Sequence, residues 1–491
     1  MSNKNFRYKV ISGLRWTVLN RSGVLLISFL VTLLMARLLN PGDFGLVAMA
    51  AVFTGISLVF VDLGTKDAII REKNNTQEFI SSIFWLNISL SLFVWLVLIL
   101  TASIVAEIYD EAIVETIIYI MSLNILLSGV TITFQAQLEK EMRFKPIAIA
   151  QVVSRIISSS IGIFMAVSGY GVWSLVFMNV TAELIYTSII IINVKKLPAL
   201  KLSFAHIKKI YNFSLYLTLT QFLYHLQRRL EIFTVASFLG THLAGVYSQT
   251  HTLMRQPVKL LNGSFASVVY SALSSISSEK ERTRLLYFKL IQTFALVYIP
   301  LSVLFLLFSD PLVLFVLGEK WLELAKLTPV FGIIILFLSF DRADEMFLKS
   351  SGRPILLFRI YLAYLPITIL GCAISSQFGV FWVAVSMLIA SFLLFITSMM
   401  TTIRFLEISF SSYLSQINRL LVYGILMFIT GYFINIYTIK YFDENSIISA
   451  IIGIFFCLVT YISALLIRPV DAWTYVLTFL NLSKTGDVVT K

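Results

Sequence analysis

Runs of roughly twenty apolar residues, separated by short polar breaks, follow one another along the whole chain. A helix rises ~1.5 Å per residue, so each run is long enough to cross roughly 30 Å of hydrocarbon. The pattern predicts spans at 12–37, 44–64, 79–103, 112–134, 146–168, 171–193, 211–238 and 244–271. Six more follow at 287–308, 323–347, 355–376, 380–402, 418–438 and 447–467, which makes about fourteen. Strands of a membrane barrel alternate over about ten residues and would give no such runs, so the expected fold is an all-α integral membrane protein. The first run is too long for a cleavable signal, carries Arg15 and Arg21, and lacks a small-residue cleavage site. It is expected to remain as a span.

One polar break recurs. Ala36-Arg-Leu-Leu39-Asn-Pro-Gly-Asp-Phe-Gly45-Leu lies without a gap on Ala236-Ser-Phe-Leu239-Gly-Thr-His-Leu-Ala-Gly245-Val. Only three positions are identical, but each stretch separates the first two spans of its half. Secondary transporters are often built from such duplicated bundles. The expected organisation is an N-terminal six-span lobe over 1–200 and a C-terminal six-span lobe over 201–405. The two lobes are expected to be related by a pseudo-two-fold axis along the bilayer normal. Residues 406–491 would add spans thirteen and fourteen and a cytoplasmic tail.

Composition agrees with the pattern. The chain has 491 residues, 58% apolar and only 13% charged, a balance that no soluble domain of this length shows. Cys372 and Cys457 both fall inside predicted spans and read as small apolar residues. The net charge of +12 would suit a nucleic-acid partner, but its distribution argues against one. Basic clusters such as Lys4-Arg7-Lys9, Lys140-Arg143-Lys145, Lys195-Lys196-Lys201 and Lys349-Arg353-Arg359 occupy every second connection. The alternate connections are acidic or neutral, as at Glu107-Ile-Tyr-Asp-Glu111 and Ser168-Gly-Tyr-Gly171. This is the positive-inside pattern, and it places both termini in the cytoplasm. No connection exceeds about twenty residues, which leaves no room for a soluble catalytic domain. No phosphate-binding loop of the G-x-x-x-x-G-K-[ST] type occurs, and no metal-ligand spacing appears. Catalysis is not expected.

Ionisable residues inside the spans are where function is expected. A charge at mid-bilayer costs about 2.5–3.5 kcal/mol on insertion scales, so such residues face a wet cavity or a partner. Span one carries Arg15 and Arg21, span seven His225, Arg228, Arg229 and Glu231, and span eight His251, Arg255 and Lys259. His251, Arg255 and Lys259 repeat at four-residue spacing and form one basic stripe on a helix face. Arg15, one turn inside the boundary, can equally snorkel to the headgroups. Arg228 can equally pair with Glu231. Arg21 sits roughly 13 Å deep at 1.5 Å per residue and Arg255 is similarly central, so these two are the leading lumen candidates. A cationic lumen implies an anionic cargo, and the arginine fork suits phosphate and diphosphate oxygens. Asp62, Glu183 and Asp341, with Asp344 and Glu345 beside the last, are candidates for a coupling ion or proton, H⁺ or Na⁺. They serve equally as helix-end groups or as counter-ions for Arg155 and Arg342.

Gly13-Leu-Arg-Trp16 followed by Ala36-Arg-Leu-Leu-Asn-Pro-Gly-Asp-Phe-Gly-Leu46 resembles the opening of the Wzx-like oligosaccharide flippases. Gly169-Tyr-Gly-Val-Trp-Ser-Leu175, Gly240-x4-Gly245-Val-Tyr247 and Ser351-Gly-Arg-Pro354 extend the likeness over most of the chain, nearest to the WzxC-like branch. The Gly-Val-Trp motif has an echo at Gly379-Val-Phe-Trp382. The family belongs to the multidrug/oligosaccharidyl-lipid/polysaccharide exporter superfamily. The resemblance implies a central cavity lined by spans one, two, seven and eight, in the bacterial cytoplasmic membrane. It also implies a cargo of undecaprenyl-diphosphate-linked oligosaccharide, ion-gradient-driven alternating access without ATP or a bound cofactor, and contact with other polysaccharide-assembly proteins. A multidrug or small-metabolite antiporter of the same superfamily is the competing expectation; its cavity would be dominated by carboxylates. Glu231, an acid just beyond the paired arginines, departs from the simple cationic pattern.

Overall fold

The computed structural model describes residues 23–62, 64–72, 76–194, 225–256, 279–351, 354–439 and 447–471, with a few single positions between. Helix is the only regular structure among them. Twelve helices are long and apolar enough to cross a membrane, and a shorter apolar helix, Gly23–Leu38 (α1), precedes them. The protein is a multi-span membrane protein. By packing it divides into two compact units, residues 1–249 with 361–380 and residues 250–360 with 381–491. These limits differ from the repeat boundaries at 200 and 405, which follow the sequence and not the packing.

In the first unit α1 is followed by α2 (Pro41–Asp62), α3 (Thr65–Arg71), α4 (Gln77–Tyr109), α5 (Ile113–Met121) and α6 (Leu123–Lys140). Then come α7 (Phe144–Val167) and α8 (Val172–Asn193). The helix α2 packs against α4, α5, α6 and α8, and α7 packs on α8. Small and hydroxylic residues let these helices approach, as is usual where lipid supplies no hydrophobic drive between them. An added Cβ on Gly129 of α6 would meet Asn87 O of α4 at 3.1 Å. Asn87 Nδ2 donates to Thr133 Oγ1 (3.2 Å), and Thr131 and Thr187 share a hydrogen bond (2.7 Å) between α6 and α8. Thr76 Oγ1 caps α4 by accepting from Phe79 N at 3.2 Å, satisfying one of the helix's orphan donors. Gly169 (φ 82) and Gly171 (φ 52) hold the left-handed turn that ends α7 and starts α8.

Expected spans seven and eight meet within one helical run, α9 (His225–Gln256), which is interrupted at Gly240 with φ 81. The rest of the expected segments 211–238 and 244–271 lies outside the described residues. The break matches the gap between α1 and α2 two hundred residues earlier. At this point the chain makes a reciprocal contact. A Cβ on Gly45 would collide with the carbonyl of Thr241, and one on Gly245 with the carbonyl of Pro41. The same Cβ positions would lie 3.1 Å from Gly245 N and 3.0 Å from Gly45 N. Residue 45 meets 241 as 245 meets 41, a local two-fold in the register of the sequence repeat.

The second unit holds α10 (Lys280–Leu307), α11 (Ser309–Leu317), α12 (Leu322–Ser350), α14 (Val380–Leu406), α15 (Phe410–Ile439) and α16 (Ile447–Ile467). The intervening α13 (Pro354–Ser375) runs from this unit into the first. The C-terminal pair α15–α16 packs on α10. Tyr461 donates to Leu296 O at 3.0 Å, Gln292 to Gln416 at 2.9 Å, and Gly453 seats the Phe308 ring. Arg284 donates to Leu406 O (2.6 Å) and Glu407 O (3.2 Å), capping the C-terminus of α14 with a cation.

Candidate functional site

The first half of α9 lies along α2. Phe222 meets Phe60 at one level (5.2 Å between ring centres) and Phe233 meets Phe53 at another (6.2 Å), with Tyr109 of α4 closing an aromatic triangle. Between these levels Arg229 presses its guanidinium on Gly55 of α2. A Cβ there would overlap the side chain, 2.9 Å from Cζ. A side chain at 55 would push the guanidinium out of the position it occupies here. Arg228 is close enough for the two charges to repel. Among the described residues Arg229 has neither a hydrogen bond nor an ion-pair partner. A half-buried guanidinium inside a membrane-spanning helix, beside a second cation, can hold an anion.

The other candidates fall as follows. His225 and Arg228 share the first part of α9 with Arg229, and Gln227 Nε2 between them donates to Tyr361 O (2.8 Å). Glu231 is buried and accepts from the Tyr247 hydroxyl at 3.0 Å, so it bridges the two parts of α9 across Gly240. His251 is buried edge-on against Phe331 (6.2 Å) and, with the half-buried Arg255, belongs to the second unit. Arg15, Arg21 and Lys259 lie outside the described residues. Asp62 ends α2 and accepts from Thr65 Oγ1 and Lys66 N (both 3.3 Å), which places an anion at the N-terminus of α3. Glu183 on α8 accepts from Ser128 (3.5 Å) and faces the charge of Arg155 on α7. Asp341 is buried on α12 and accepts from Ser398 of α14 at 2.7 Å.

The contact of Arg229 with Gly55 was not foreseen from the sequence, nor were Tyr287, Thr402 and Tyr413, hydroxyls gathered near Asp344. A lone glycine on an apolar helix carries no signal of what packs on it, and hydroxyls on three different helices show no common spacing. Among the described residues no group of three His, Cys, Asp or Glu side chains is set to hold a metal ion.

The fold is similar to that of a solved multi-helix membrane protein, the lipid II flippase MurJ in its inward closed conformation, which superposes with a TM-score of 0.71, covering 92% of this chain and 98% of that one at 15% identity. A family of polysaccharide biosynthesis proteins matches residues 34–326, more than half of the chain, and the chain belongs to that family. It is 25% identical over 321 residues to an uncharacterised membrane protein of the cps region of Klebsiella pneumoniae, covering 65% of this chain and 66% of that one, just under two thirds. It is 21% identical over 386 residues to the lipopolysaccharide biosynthesis protein WzxC of Escherichia coli (strain K12), covering 77% and 78%.

Proposed function

We propose that this protein moves a lipid-linked oligosaccharide bearing a diphosphate from the inner to the outer leaflet of the bacterial cytoplasmic membrane, for cell-surface polysaccharide assembly. The observation that carries the reading is Arg229, seated against Gly55 with Arg228 beside it. Two like charges held together within apolar helices are stabilised when an anion joins them, and a diphosphate supplies acceptor oxygens for both forks. The lipid tail stays in the bilayer while the headgroup crosses. The work is transport and not catalysis. Alternating access driven by an H⁺ or Na⁺ gradient fits a chain without an ATP site, because the driving ligand must bind the two states unequally. The reciprocal contact of Gly45 and Gly245 supports two lobes, 1–200 and 201–405, that rock about it, with both termini cytoplasmic. Arg15, Arg21, Arg255 and Lys259 are further candidates for contact with the diphosphate, and partners would include other polysaccharide-assembly membrane proteins.

The test is flipping of a lipid-diphosphate-linked oligosaccharide in proteoliposomes containing the full chain. Arg229→Ala should abolish flipping while the protein inserts normally, and Arg229→Lys should restore part of it. Full activity of Arg229→Ala would overturn the reading. Transport of organic cations without any glycan-lipid movement would favour the antiporter class instead.

A further inference from the structure

The second unit buries an acidic centre that the transport reading leaves unassigned at the level of atoms. Asp341, Asp344 and Glu345 on α12 are 5%, 0% and 7% exposed. Glu345 is paired on its own helix with Arg342 and with Lys349 (2.5 Å). Asp341 has Ser398. Asp344 accepts through Oδ1 from Tyr287 of α10 at 2.5 Å, while its Oδ2 has no hydrogen-bond partner among the described residues. Two more buried hydroxyls belong to the same surroundings. Thr402 of α14 lies beside both Asp344 and Tyr287, and Tyr413 of α15 lies within reach of the Asp344 charge. Thr402 and Tyr413 are 0% and 1% exposed, and neither hydroxyl oxygen has a hydrogen-bond partner among the described residues. Tyr298 of α10, near Arg342, is turned to Ser339.

Two physical problems coincide here. Three carboxylates against the two cations Arg342 and Lys349 leave one negative charge in a membrane-spanning helix, an expensive state. Among the described residues an acceptor oxygen, the Thr402 hydroxyl beside it and the Tyr413 hydroxyl near it also have their hydrogen bonds unmade, which costs roughly 1–3 kcal/mol for each buried polar group. A single proton on Oδ2 removes the first and relieves the second. It cancels the residual charge and converts an acceptor into a donor facing oxygens with free lone pairs. A metal ion would need more converging oxygens than the three that lack partners.

We propose that Asp344 is a proton-binding site: its carboxyl carries a proton on Oδ2, donated towards Thr402 Oγ1 or the Tyr413 hydroxyl. The proton comes from water and returns to it when α12, α14 and α15 part enough to wet the carboxyl. Any use of this proton to drive transport rests on the reading in the preceding subsection; its presence at Asp344 does not.

The experiment is infrared spectroscopy of the full chain in nanodiscs at neutral pH, without substrate, so its outcome is independent of whether a glycan lipid is carried. The wild type should show a protonated-carboxyl C=O band that shifts in heavy water. The band should vanish in Asp344→Asn, an isostere of the protonated acid, and persist in Asp341→Asn. Tyr413→Phe, which keeps the packing and removes an acceptor, should shift the band and gives a readout even if Asp344→Asn fails to fold. Absence of the band in the wild type, or its survival in Asp344→Asn, overturns the proposal. So does a thermal midpoint raised by Na⁺ but not by choline in the wild type and insensitive to Na⁺ in Asp344→Asn.

Discussion

Replacing Gly45 by Ala probes the contact between α2 and α9 with a single methyl group. The added Cβ would lie 2.7 Å from the Thr241 carbonyl carbon, closer still to its oxygen, and 3.1 Å from Gly245 N. Carbon atoms rest at about 3.5–4.0 Å, so the helices must separate by about 1 Å or more at this level. The obstructing atoms are backbone, which cannot rotate aside as a side chain would. Overpacking of this kind costs about 1–3 kcal/mol, and the first one or two of these shift the folded population ~5–30-fold. Thermal unfolding in nanodiscs should show a lower midpoint for Gly45→Ala and a similar loss for Gly245→Ala. The double variant should cost less than the sum, because once the helices have parted the second methyl finds space. Gly42→Ala, on the same helix with nothing near its Cβ position, is the control. A Gly45→Ala midpoint equal to that of Gly42→Ala, or strict additivity with Gly245→Ala, would refute the close approach.

Three further outcomes are expected. Arg21→Ala and Arg255→Ala should each abolish glycan export from cells with the protein still abundant in the membrane, and Lys should rescue partly since it keeps charge but loses the fork; normal export from both would make these residues structural. Asp62→Asn should leave gradient-driven transport in proteoliposomes unchanged, because an amide oxygen can still cap α3; passive flipping without gradient dependence would instead make Asp62 the coupling group. Glu407 is held below the usual carboxylate range first by its hydrogen bond from Lys280 and then by that charge and Arg284. Its contribution is therefore present above the ordinary carboxylate range and is lost as pH falls through the depressed value; acid titration of thermal stability should show a small wild-type decline at low pH that Glu407→Gln lacks.

What the sequence disclosed and what it hid follow from the range of the forces involved. Helix α16 begins and ends where the apolar run 447–467 does, because lipid solvation is a local property of composition. The motif glycines 169, 171 and 379 take positive φ at helix boundaries and Gly240 does so within α9, which a Gly beside a polar break announces. The seven-residue α3, the nine-residue α11 and the division of one expected span into α5 and α6 at Ser122 are shorter than any hydropathy window can register. Helix α4 continues six residues beyond the expected end at 103, where Val105, Ala106 and Tyr109 are buried against the protein. The basic residues of α9 were legible as charges out of place. Their partners were not, because the seat of Arg229 on Gly55 and the neighbours of Asp344 depend on pairs separated by 57 residues or more.

The contact at Gly45 and Gly245 maps onto itself, as an isologous interface between identical subunits does. A side chain at either position would run into the backbone of the other stretch. Such a site is constrained from both sides at once, so glycine persists in both halves. Pro41 and Thr241 offer the opposing glycine only a carbonyl, which every residue supplies. Their side chains differ without altering the contact, so the two-fold is carried by backbone atoms and is indifferent to what Pro41 and Thr241 bear.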